Sequence, residues 1–598
     1  MKRRLIALTA VAGLVLGGCG IPDETAVVPL GPGPSTGVSS GSELAPPRSS
    51  RTDTTDKAQF VENYLAAAAG DFAGAADRVE QFLSPDAAAT FKAPPEIKVV
   101  RPVEDPLVEP GSGVVKLKVR EVGTLRQKGY IETSPDDREI QYQFELREIE
   151  GKSGWFVEKA PPALLLSDEA LDQFYARRTI YFWNAEHTGL VPDLRYMPLS
   201  VPPEQQPTVI VDWLISGPAP WLAGVVDPLP EGTKQIGNVP AVSNNTLQVN
   251  LSGQAVPAEE PGALDRLQKQ LRWSLRPNLP GTLELSVEHQ AQKYVGDDFL
   301  PENAAYRPVA DPERFVIYGG VVRRLARSNL AGQAVPLIAP AANRSVRMAA
   351  FATTGDRSYA ALVVSEPNGR QVLRAGAART GEHASLRRIP LPAPIGRPVW
   401  ATSPGGTDAG TVGLVTASGR LYSFNANGSG LSLVEWPSGP GNITAVAVAP
   451  DAHRVALLAG GRLYLAALSG SEDGTQLSAP HVVRTVLRDL TAVAWGSESL
   501  LVVAGVRPDS QRVAMMDVSI DGAGQTDRLA DLGSNPVTYL STVTADPSRE
   551  ATPPAVAYVL GGAAYDELNP DRLEASDLAD PPPNPPPGVL PSAPFFTN

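Results

Sequence analysis

Five histidines (His187, His289, His383, His453 and His481) and one cysteine, Cys19, are the residues of this chain best equipped for metal or proton-transfer chemistry. A zinc site gathers three or four His, Cys or carboxylate ligands, and closely spaced pairs of them are its usual mark in a sequence. These histidines are scattered and show no such spacing. His187 follows Glu186, which suggests a metal or acid/base pair, but no second histidine or carboxylate cluster supports it. His453 lies beside Asp451 in a tight turn between two apolar runs, where a solvated turn is a simpler reading than a catalytic dyad. His289 and His481 border strand-like runs and read the same way. Residues 517–522 have the outline of a metal loop without the remaining acidic ligands a calcium loop requires. The run Gly37-Val38-Ser39-Ser40-Gly41 matches the pattern of a hydrolase nucleophile, but that serine must stand between a strand and a helix, and neither flanks it. The sequence therefore assigns no catalytic, metal-ligating or cofactor-binding residue.

Cys19 is different, because its context specifies a reaction. Lys2, Arg3 and Arg4 precede an apolar run from Leu5 to Leu16, too short to span a bilayer comfortably, and Leu16-Gly17-Gly18-Cys19 follows. This is the layout of a signal peptide over residues 1–18 ending in a lipobox. Small residues admit the peptidase, and the thiol takes a diacylglycerol. As the only cysteine, Cys19 would be consumed by the lipid, so neither a disulfide nor a cysteine zinc site is available to the rest of the chain. Each buried methylene of an acyl chain adds roughly 0.8 kcal/mol of membrane affinity, so more than one chain gives stable anchoring with no helix in the bilayer. The expected location is the extracytoplasmic face of the cell membrane. A formal net charge of -13 argues against nucleic acid as a partner.

A length of 598 residues exceeds what one core can hold. Residues 19–55, rich in Pro, Gly, Ser and Thr, read as the lipidated cysteine and a flexible tether. In residues 56–166, Asp56 caps a helix carrying Phe60, Val61, Tyr64 and Leu65, and strands follow. Ile140, Tyr142, Phe144 and Leu146 alternate with polar residues as a half-buried antiparallel strand must. This is an α+β layout of the NTF2-like or cystatin-like kind. A connecting segment, 167–207, holds the aromatic run Tyr181-Phe182-Trp183, expected to weld two domains together.

From 208 to 295 come a Gly217-Pro218 turn, a Pro230-Glu231-Gly232-Thr233 turn, the strand Leu247-Gln248-Val249-Asn250-Leu251, a helix with Leu264, Leu267, Leu271 and Leu275 on one face, and a strand from Leu283 to Val287. Their order resembles the α+β GerMN domain named after spore germination proteins. From 314 to 567 apolar strands recur. Thr444-Ala445-Val446-Ala447-Val448 is repeated by Thr491-Ala492-Val493-Ala494-Trp495 at a spacing of about 47 residues, as expected for the four-stranded blades of an all-β propeller. Five blades are clear and a sixth is outlined near Phe315 to Leu325. The candidate innermost strands carry mainly Ala, Val, Thr and Leu rather than ligands. Residues 568–598 read as a proline-rich tail.

Lipobox, α+β domain, GerMN-like domain and C-terminal propeller, in that order, resemble the LpqB lipoprotein family of actinobacteria over nearly the whole mature chain. The resemblance implies a non-enzymatic lipoprotein that binds the extracellular part of MtrB, the sensor histidine kinase of the MtrA/MtrB two-component system, and affects cell-wall metabolism and division. It assigns no residue to the kinase contact. A cell-wall glycan-binding envelope protein is the second reading, and a propeller hydrolase or lyase the third. No cofactor is expected.

Overall fold

The computed structural model describes residues 50–597 except 135–137, 280, 293–311, 327–334, 336, 403–409, 472–473, 548–553 and 568. Cys19, the lipobox and the Gly37–Gly41 match lie outside the described residues.

Helix α1 (Lys57–Ala67) opens the first domain, and the Asp56 carboxylate accepts the Gln59 N–H at 2.9 Å, satisfying one of the donors a helix start leaves free. Helices α2 (Ala75–Glu80) and α3 (Pro85–Thr90) follow. The strands are β1 (Ile97–Pro102), β2 (Leu107–Val108), β3 (Val114–Leu125), β4 (Ile131–Thr133), β5 (Glu139–Glu148), β6 (Trp155–Lys159) and β7 (Leu164–Ser167). They form a sheet of order β6-β5-β3-β1-β7, with β2 and β4 paired to β3. All pairs are antiparallel except β1 with β7, so the sheet is mixed rather than wholly antiparallel as the alternation suggested. Its apolar face meets α1 through Phe60, Tyr64, Phe82 and Phe144, whose rings stand 5.2–6.1 Å apart in tilted and edge-on contacts.

The segment expected to be a connector is structural. Helix α4 (Asp168–Phe174), capped by Ser167, runs directly into a long hairpin of β8 (Tyr175–Asn184) and β9 (Leu190–Pro198). With α5 (Gln206–Ile215), β10 (Val226–Asp227), β11 (Thr246–Leu251), α6 (Ala263–Leu275), β12 (Thr282–Val287) and β13 (Gln290–Gln292), this hairpin builds the second domain. Strands β11 and β12 pair in parallel, as two strands joined by a crossover helix must, and Leu267, Leu271 and Leu275 of that helix enter the domain core. Sequence-local reading separated the hairpin from this domain because β8 finds its helix partner, α6, far along the chain.

Among the described residues the propeller has six sheets. Blade 1 comprises β16 (Val346–Thr354), β17 (Arg357–Ser365), β18 (Gln371–Arg379) and β19 (Arg387–Ile389), numbered after β14 (Arg314–Tyr318) and β15 (Val321–Arg324). Blades 2 to 5 span residues 399–433, 443–483, 488–529 and 537–572. Blade 6 is split between the two ends of the domain: β14 and β15 supply two strands, and Ser592–Phe596 pairs with β14 as the third. That last strand packs between the inner strands of blades 5 and 1 and closes the ring. The stretch from 568 onward is thus not simply a tail, since Asn569–Arg572 completes blade 5 and Ser592–Phe596 completes blade 6. Closure removes the unpaired edges that an open ring would leave.

Candidate functional site

An assembly of buried polar groups lies where the first two domains meet blades 3 and 4. The turns there are short, so each blade offers backbone and polar tips rather than a long loop. Tyr181 of β8 donates its hydroxyl to Glu498 at 2.6 Å, in the turn between the first two strands of blade 4. Asn184, at the end of β8, lies 3.0 Å from the His453 ring in the matching turn of blade 3, and its amide also reaches Glu186 and Thr188. Tyr196 of β9 is buried facing Asp521. Burial first, and the adjacent carboxylates second, push both tyrosine phenols well above their ordinary value, so both remain protonated. Arg101 of β1 pairs with Asp168 at 2.5 Å and donates to the carbonyls of Gly522 and Ala523, both at 3.0 Å.

Apolar contact runs beneath these bonds. One core extends from the first domain, through Leu194 and Tyr196 of β9, into Ala447, Leu458, Trp495 and Met516 of the propeller. His481 stacks on Trp221 of the second domain, with ring centres 5.4 Å apart. Burial there holds its imidazole at about 4, against the weaker opposing pull of Asp521 and Glu132, so the ring is neutral at pH 7.

The histidines singled out in the sequence are not brought together. His187 pairs with Asp227 at 2.8 Å, the exposed His289 meets Asn250, His383 is exposed on blade 1, and His453 and His481 serve the domain junction. Among the described residues no group of three His, Cys, Asp or Glu stands close enough to hold a metal ion. The suspected metal loop has other duties. Asp517 receives both arms of Arg528 at 2.7 and 2.9 Å, and Asp521 accepts from the Ser519 hydroxyl and the Ala523 N–H. The Gly217-Pro218 turn is held from below by a buried pair, Arg195 with Asp193 at 2.6 Å, which bonds the Gly217 carbonyl and the Ala219 N–H. The expectation that Tyr181 to Trp183 weld domains describes Tyr181. Trp183 instead packs inside the second domain and donates to the Arg266 carbonyl. The sequence singles out His453 and His481 but reads them as solvated turns, whereas both lie at the junction, because an ordinary blade turn and a docking turn have the same composition.

Two α+β domains docked against one end of a closed propeller, with six sheets among the described residues, define the class of protein by its architecture, and comparison with known proteins gives the family. The model of the lipoprotein LpqB N-terminal domain matches residues 51–172, that of a sporulation and spore germination domain residues 179–292, and that of the lipoprotein LpqB β-propeller domain residues 319–552. The chain belongs to the LpqB lipoprotein family. Lipoprotein LpqB of Mycolicibacterium smegmatis is 24% identical over 97% of this chain and 99% of its own length. That of Thermobifida fusca is 29% identical over 32% of this chain and 30% of its own. Among solved structures, the tandem GerMN domains of the sporulation protein GerM from Bacillus subtilis match 35% of this chain and 62% of theirs at 12% identity, with a TM-score of 0.17, too low to carry any argument. No helix among the described residues is long and apolar enough to cross a membrane.

Proposed function

We propose that this chain is anchored through a lipid on Cys19 at the extracytoplasmic face of the cell membrane and works there as a non-enzymatic binding protein for the extracellular part of the MtrB sensor kinase, tuning signalling that governs cell-wall metabolism and division. The observation that carries the reading is the end-to-end likeness to relatives named lipoprotein LpqB, joined to a lipobox at the start of the sequence. Activity on a substrate is not part of it: polar pairs at the domain junction, such as Tyr181 with Glu498 and Asn184 with His453, hold domains together.

The mechanism is a binding equilibrium. Lipid and tether confine the protein to the plane of its partner, so a modest two-body affinity is raised through effective concentration. Titration calorimetry of the mature chain against the kinase's extracellular domain tests the proposal. Saturable binding of one chain per sensor domain is expected, and absence of heat at high micromolar concentration of both would overturn it.

A further inference from the structure

Successive strands of an antiparallel blade alternate direction, so its first and third turns fall at one end of the propeller and its second turn at the other. The docked domains occupy the first end, through His453, Glu498 and the turn around Gly522. At the opposite end, two clefts flank the tip of blade 1. One, of about 370 Å³, lies toward blade 6 and is lined by Gly319, Gly320, Ser345 and Glu366. The other, of about 680 Å³, lies toward blade 2 and is lined by Arg370, Gln371 and Pro394. Arg347 and Ser365 belong to both.

The charge here departs from the rest of the molecule. In a chain of net charge -13, residues 343–397 contain nine arginines, three carboxylates and no lysine. Four of these arginines, Arg347, Arg370, Arg374 and Arg388, stand about the single carboxylate of Glu366. Only Arg388 pairs with it, through both nitrogens of the fork at 3.0 and 3.2 Å. Arg347 is held by Ser365 at 2.9 Å, and no ion pair among the described residues engages Arg347, Arg370 or Arg374. The Arg388 guanidinium, with Arg370 and Arg374 behind it, keeps the Glu366 carboxyl below the usual range, so it stays ionised and offsets only part of the positive field at neutral pH.

We infer that the paired clefts around Arg347 are a binding site for an extended anionic polymer of the cell envelope bearing phosphate or carboxylate groups. Arginine presents a planar fork suited to either oxyanion. Two clefts sharing one arginine suit consecutive anions along a polymer better than one small anion. The site also lies at the end of the propeller opposite the domain that carries the tether, which favours a wall polymer over a lipid headgroup. The inference stands apart from kinase binding, which uses no residue assigned here.

The test uses the full mature chain and four probes: polygalacturonate, linear poly(glycerol phosphate), neutral dextran, and vesicles of equal parts phosphatidylcholine and phosphatidylglycerol. Interferometry is expected to show saturable, salt-sensitive binding to at least one soluble polyanion and none to dextran. The variant Arg347→Gln/Arg370→Gln should lose at least about tenfold in affinity. Glu366→Gln, which removes the one opposing charge and keeps an acceptor for Arg388, should gain about threefold. Lys152→Gln/Lys159→Gln, an equal charge change on the first domain, should leave affinity unaltered. Equal loss in that control, binding to vesicles alone, equal binding to dextran, or no binding to either polyanion would each overturn the inference.

Discussion

Two residues at the junction between domains have consequences that can be measured. Arg454 and Asp451 form an ion pair at 2.7 Å that is almost wholly buried, with the guanidinium 5.0 Å from the centre of the Trp495 ring, and Asp451 also accepts the His453 and Arg454 N–H groups. Arg454→Met keeps much of the packing but leaves a carboxylate buried without its cation. It should cost about 3–5 kcal/mol, read as a lowered urea midpoint. His481 makes the stability of the junction depend on pH. Its folded value of about 4 lies below the 6.5 of an exposed imidazole, so the unfolded chain takes up a proton first as pH falls. The contribution is complete above about pH 6.5 and is lost progressively toward pH 4, by up to about 3 kcal/mol. Denaturant midpoints across that window should fall less steeply in His481→Gln than in the parent, and identical slopes would show that the ring does not titrate as its burial requires.

Repeated elements join the blades to one another. Trp400 donates its indole N–H to the Ala350 carbonyl, and Trp495 donates to the Ala447 carbonyl, each reaching the inner strand of the preceding blade at 3.1–3.2 Å. The ring nevertheless depends on one short strand contributed from the far end of the chain. Phe595 stacks on Phe315 and meets Phe351 edge-on, joining blade 6 to blade 1. Truncation after residue 591 should remove that strand and uncover the edge of β14. A fall in melting temperature of several degrees, with concentration-dependent association in light scattering, is expected. The strand was not legible in the sequence. Its neighbours are prolines and its partner β14 lies almost the whole propeller away, so no local period marks it. The blades themselves were legible, because alternation along a strand and recurrence between blades are both local patterns.

For the whole molecule, the proposed lipid anchor makes the testable difference. A Cys19→Ala form should appear in the soluble rather than the membrane fraction, and should restore a null strain poorly at matched expression. Full restoration by the released form would remove effective concentration from the mechanism. The two N-terminal domains meet the propeller at one end and leave the arginine-lined clefts at the other.

The sequence by itself determined the lipobox, the three-domain order and the blade repeat, because each is written in residues near one another. Only the tertiary structure decided that the hairpin of β8 and β9 belongs to the second domain, that the blades number six, and that Tyr181, Tyr196, Arg101 and His453 join three domains. It likewise gathered Arg347, Arg370, Arg374 and Arg388 around one carboxylate. The physical reason is common to all of these. A strand, turn or guanidinium acquires its role from what packs against it, and here those partners come from elsewhere in the fold.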